Sequence, residues 1–106
     1  MAQFDVHRNS GRHADSIPYV VVVQSALFDE YARRVVVPLV KASAVGALAS
    51  TRFNPTFKIG RTAVVLHPLE IVSVATERLG APVASLATEG NRIVAALDEL
   101  LSRAWG

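Results

Sequence analysis

The sequence predicts a mainly β fold with one α-helix at its C-terminal end. Two observations carry this. Over the first two thirds, β-branched runs alternate with short polar or Gly-containing turns. Over the last third, the apolar residues change to helical spacing. Size is a third. With 106 residues and half of them hydrophobic, the chain is one domain, 1–106, able to bury a real core. Several short strands with turns between them suggest a small barrel or sandwich.

The elements follow in order. Residues 4–8 are short and alternating and read as a strand. Residues 9–16 are polar, contain Gly11 and form a loop. Residues 17–24 are rich in β-branched side chains and read as a buried strand. Residues 25–32 connect to a further β-branched run at 33–40, where Pro38 predicts an edge position or a bulge. Residues 42–50 are rich in small side chains and fit neither pattern. Residues 52–59 and 62–67 read as a hairpin turned at Gly60 and Arg61. Residues 71–78 fit a short helix or a strand, and Gly80, Ala81 and Pro82 end them. Ile93, Val94, Leu97, Leu100, Leu101 and Ala104 share one helical face. Glu99 and Arg103 form a favourable i,i+4 pair on the opposite side. The helix is expected to start near Thr88 as its N-cap, with Gly90 weakening the first turn.

Composition excludes several classes. The chain has no cysteine, so disulfides and cysteine-based metal or redox sites are ruled out. A net charge of +2, spread along the chain, does not demand a nucleic-acid surface. No secretory signal pattern opens the sequence, and its apolar runs are too short to cross a bilayer, so a cytoplasmic protein is expected. His7, His13 and His67 lack metal-ligand spacing, and isolated histidines are more often surface or packing residues. Asp98 and Glu99, sequence neighbours on a helix, read as a solvated face. Asp29 and Glu30 lie in a loop, with solvation the simpler reading. There is no nucleophile elbow, phosphate loop or dinucleotide fingerprint, so neither an enzyme nor a cofactor is expected. Trp105, at the chain end, has two readings. It folds back onto the core, or it serves as an aromatic anchor for a partner.

Several stretches, in order and at matching separation, resemble the CcdB family. They are Gln3, Phe4 and Val6; Val23, Gln24 and Ser25; Arg33, Arg34, Val35, Val36, Val37, Pro38 and Leu39; Asn54, Pro55, Ile59 and Gly60; Leu79, Gly80, Val83, Ala84, Ser85 and Leu86; and the terminal Trp105 and Gly106. The resemblance spans essentially the whole chain. It implies an SH3-like β-barrel, shared by CcdB and MazF-type toxins, with a C-terminal helix. It implies the toxin of a type II toxin–antitoxin system of the kind that serves plasmid maintenance. Such a toxin is a homodimer that binds the DNA gyrase A subunit, traps the gyrase–DNA cleavage complex, and is neutralised by a CcdA-like antitoxin. The gyrase contacts it implies are Trp105, with Gly106, Leu101, Leu27 and Phe28. An indole stacked on a guanidinium is a favourable cation–π pair. By the same analogy the polar segment from His7 to Asp15, with Arg8 and Arg12, faces the antitoxin. The chain departs from the family pattern in two ways. It stops at Gly106 where the family usually continues with Ile, and the stretch from Ile93 to Trp105 is about three residues longer, which advances a helix by roughly 4.5 Å and turns it by about 300°.

Two other functions fit the same fold. A MazF-like endoribonuclease toxin needs a convergent set to activate a 2′-hydroxyl, for which Thr51, Arg52 and His67 are the candidates. A non-toxic family member would only dimerise and bind antitoxin. A homodimer is expected on physical grounds as well, from the apolar helix face and an apolar surface around Val35 to Leu39.

Overall fold

The computed structural model describes residues 2–46 and 51–102. Among the described residues, seven strands form one bent, fully antiparallel sheet, and a single α-helix follows. The strands are β1 (Asp5–Arg8), β2 (Tyr19–Val22), β3 (Arg33–Lys41), β4 (Thr56–Ile59), β5 (Thr62–Leu66), β6 (Val72–Ala75) and β7 (Ala84–Ser85). The helix α1 is Gly90–Leu101. The sheet runs β4-β5-β3-β2-β1-β7, with β6 also paired to β3. This is the expected mainly β, barrel-like fold with a C-terminal helix.

β3 explains the curvature. Along one edge it pairs with β2, from Val22↔Val36 to Tyr19↔Leu39. Along the other it pairs first with β6, through Arg33 to Val36, and then with β5, through Leu39 to Lys41. Pro38 falls at this change of partner. The strand is therefore central, which removes the edge position, one of the two alternatives that Pro38 predicted. Val23 donates to Val35 O, so by alternation Val20↔Pro38 is a non-hydrogen-bonded pair and β2 asks no donor of Pro38. On the other side His67 donates to Pro38 O at 3.1 Å. The missing N–H thus costs no bond to β2.

The valine runs reflect burial on both faces. Val21, Val37 and Leu39 enter the main core with Val6, Phe57, Ile59, Val64, Leu66, Leu86, Ile93 and Ala96. Their neighbours Val22 and Val36 enter a second small cluster with Leu79. Strands covered on both faces read as continuous apolar runs. The expected apolar surface at Val35 to Leu39 is accordingly absent: Val36, Val37 and Leu39 are buried in the chain's own core.

β4 and β5 form the predicted hairpin. Ile59 pairs with Thr62, leaving Gly60 and Arg61 as the loop, and Gly60 has φ +61°. A glycine at the first central position suits the twist of a two-residue hairpin. β4 is shorter than predicted. Buried Asn54 turns the chain before it and donates from Nδ2 to Leu66 O. Residues 71–78 resolve as β6 followed by a 3₁₀ turn at Thr76–Arg78.

The helix start differs from expectation. Thr88 lies within a 3₁₀ turn, Ala87–Glu89, and Glu89 occupies the cap without a side-chain cap bond. Gly90 has a packing role. A Cβ there would sit 2.6 Å from Phe4 Cε2. Phe4, at φ 70°, is held on both sides, its N–H by Val22 O and its carbonyl by Leu86 N. Gly90→Ala is therefore expected to destabilise by about 1–3 kcal/mol through overpacking, against the ordinary preference for Ala in helices. In a Phe4→Ala background the same change should become neutral or stabilising. Additive losses in this thermal-melt cycle would rule the contact out.

The helix docks through Gly90, Ile93 and Ala96, with Leu97 packed beside them. Val94 and Leu101, predicted on the same face, are exposed. Arg92 ties the helix to the sheet, donating to Thr56 O at 2.9 Å and lying 4.5 Å over the Phe57 ring. Glu99 pairs with Arg52 at 3.2 Å, so it is not simply solvated. The expected Glu99–Arg103 pair and the Ala104 position involve residues outside those described. No helix among the described residues is long and apolar enough to cross a membrane.

Candidate functional site

Two of the exposed large apolar side chains that the sequence nominated, Leu27 and Phe28, lie between β2 and β3. A 3₁₀ turn, Ala26–Phe28, opens the loop, and Ser25 Oγ accepts from Leu27 N at 3.2 Å to cap it. Leu27 is 85% exposed and Phe28 50%. Tyr31, which sequence reading passed over, is 64% exposed and stands 6.1 Å from Phe28 by ring centroids.

Two polar side chains hold this loop from below. Arg34 is only 5% exposed. Its Nη1 donates to Tyr31 O at 2.6 Å and Arg33 O at 2.9 Å, and its Nη2 to Asp29 O at 2.7 Å. The Asp29 carboxylate lies 3.8 Å from Nε. Gln24 Nε2 donates to Phe28 O and Arg33 O, and its Oε1 accepts from Val35 N. Both residues belong to the motifs that carry the resemblance, and the structure shows the work they do there.

Leu101 closes the helix and is 73% exposed. Trp105 and Gly106 lie outside the described residues. Leu27 and Phe28 are thus on one loop and Leu101 on the last turn of α1.

Arg8 ends β1 and Arg12 lies in the following loop, both exposed. Asn9 stitches that loop, donating from Nδ2 to Arg12 O at 3.1 Å and Ile17 O at 2.8 Å and accepting from Gly11 N at 2.9 Å. Arg8 lies 6.0 Å from the Tyr19 ring centroid. It also lines a cavity of about 190 Å³ with Arg78, over an apolar floor that includes Val20, Val36 and Val74. Ser10 Oγ donates to Arg78 O and joins the two sides. Sequence reading did not place Arg78 here, because it is far from Arg8 along the chain.

Arg52 is engaged with Glu99, and His67 lines a separate cleft of about 830 Å³ with Asn54, Phe53 and Leu69, which Arg52 and Thr51 do not line. His7 is buried, and its Nδ1 donates to Gly80 O at 2.9 Å, which is a packing role. Among the described residues no three His, Asp or Glu side chains are placed to hold a metal ion.

The structure defines a mainly β, barrel-like domain with one C-terminal helix and exposed apolar side chains on a tethered loop and on the helix end. The chain belongs to the CcdB family: the family model described as CcdB protein matches residues 3–102. Comparison with curated proteins returns no match.

Proposed function

We propose that the chain is the toxin of a type II toxin–antitoxin pair that binds the DNA gyrase A subunit and holds gyrase on cleaved DNA in the cytoplasm. It acts by binding, with no catalytic step of its own. The observation that carries this reading is the family match over residues 3–102, joined to the exposure of Leu27 and Phe28 at positions the resemblance assigns to gyrase. Each such side chain gains about 1.5–3 kcal/mol when a partner covers it fully. Leu101, Trp105 and Gly106 complete the proposed gyrase surface. Co-purification of the gyrase A subunit with the chain is the expected result, and its absence would count against the reading.

The active species is a homodimer. Val94 on α1, and Leu69 and Val72 elsewhere, are exposed apolar side chains that a second copy is suited to cover. Light scattering is expected to report a dimer at micromolar concentration; a monomer there contradicts this.

A CcdA-like antitoxin is the second partner. Arg8 and Arg12 are both exposed cations, and Arg8 adjoins an apolar floor. Disordered partners combine charge steering with extended contact. Arg8→Glu with Arg12→Glu is expected to weaken antitoxin binding at least tenfold, about 1.4 kcal/mol or more. Unchanged affinity in a titration would remove both residues from the site.

A further inference from the structure

We propose that Arg34 is the positioning residue for the 25–33 loop and that Tyr31 is a third contact residue for the gyrase A subunit beside Leu27 and Phe28. The inference rests on the gyrase reading above and adds Tyr31, and a role for Arg34, that the resemblance did not supply.

A buried charge such as the Arg34 guanidinium is costly unless hydrogen bonds satisfy it. Arg34 meets most of that demand through Nη1 and Nη2, which donate to the backbone carbonyls of Asp29, Tyr31 and Arg33, while its buried Nε makes no hydrogen bond and lies 3.8 Å from the Asp29 carboxylate. Gln24 takes Phe28 O and shares Arg33 O. Four carbonyls of one short loop are therefore committed to two side chains that precede and follow it. The large apolar side chains of that loop, Leu27, Phe28 and Tyr31, are left in solvent. Arg suits this place because its planar fork addresses several acceptors at once, which a lysine ammonium on a flexible stem does not do in the same geometry.

The consequence is preorganisation. A loop already ordered in its binding shape loses less freedom on association, so more of the contact energy appears as affinity. Tyr31 and Phe28 have rings 6.1 Å apart at 50°, a tilted pair within ordinary aromatic contact. Tyrosine is enriched among residues that dominate interfaces.

The test measures gyrase A affinity, thermal melting and amide hydrogen exchange on the full chain. Tyr31→Ala is expected to weaken binding roughly 5- to 30-fold with an unchanged melting temperature, while Tyr31→Phe binds nearly as the wild type. Arg34→Lys is expected to weaken binding about tenfold or more and to speed exchange in residues 26–33, with β2, β3 and β5 still protected. If Arg34→Lys fails to fold, Gln24→Ala reports the same loop and should show the same pattern more weakly. Affinity within about twofold of wild type for Tyr31→Ala, or for a folded Arg34→Lys, overturns the proposal. If Leu27→Ala weakens binding while those variants do not, this inference fails and the gyrase reading stands. If the wild-type chain does not bind gyrase A, both fail.

Discussion

Trp105→Ala is expected to weaken binding to the gyrase A subunit by roughly 30- to 1000-fold, because an aromatic anchor at an interface is worth about 2–4 kcal/mol. The expectation rests on the resemblance of Trp105 and Gly106 to the family's terminal pair and on the chemistry of indole. Tryptophan combines a large apolar area with a face that attracts guanidinium groups. Gly106 has no side chain, so the backbone there can approach a partner closely. The competing role for Trp105 is packing onto the chain's own core. That role predicts a different result, since truncating a buried tryptophan costs about 3–5 kcal/mol of stability. If the indole is an anchor, the melting temperature of Trp105→Ala stays near wild type while growth arrest in expressing cells disappears. A large fall in melting temperature, or full toxicity without the indole, contradicts the anchor role.

Ile93→Ala is expected to have the largest effect on stability, a loss of about 2–5 kcal/mol. Ile93 is fully buried and is the largest side chain through which α1 enters the main core. A domain of this size has a total stability of about 5–15 kcal/mol, so the variant should melt roughly 10–30 °C lower. Asn91, exposed on the same helix, provides the control, and Asn91→Ala should cost well under half as much. Measurements belong at one protomer concentration, because dimerisation would make melting concentration-dependent. A loss below about 0.5 kcal/mol for Ile93→Ala would mean that the helix is not docked as described.

The helix shows what sequence periodicity conveys and what it conceals. Its existence and approximate span follow from apolar spacing. Its orientation does not, because spacing counts large side chains. The structure brings α1 against the sheet through small residues, Gly90 and Ala96, flanking Ile93. Gly90 reads as a weakness in the sequence and proves to be the space that the Phe4 ring fills. Thr88 reads as a cap and is drawn into a 3₁₀ turn instead. Pro38 misleads for a related reason. Local chemistry forbids proline where its N–H is required, but only tertiary pairing reveals that β3 changes partners there. The hairpin at Gly60 is legible because its turn chemistry is local.

The candidate site is less legible than the fold. Leu27 and Phe28 are nominated through resemblance, and the structure adds that both are exposed. Arg34 and Gln24 are visible in the sequence as motif letters without a role, since an arginine is usually at the surface and nothing local predicts its burial. Arg78 reaches the Arg8 cavity only because β6 and the turn after it fold back beside β3.

The central claim is that this chain stabilises the gyrase–DNA cleavage complex. The most direct measurement incubates the purified protein with reconstituted gyrase, supercoiled plasmid and ATP, adds detergent and protease, and quantifies linear DNA. A gyrase poison gives linear DNA that rises with toxin concentration to saturation, and here that signal should be lost with Trp105→Ala. Linear DNA no higher than with gyrase alone, from protein shown by circular dichroism to be folded, would contradict the claim.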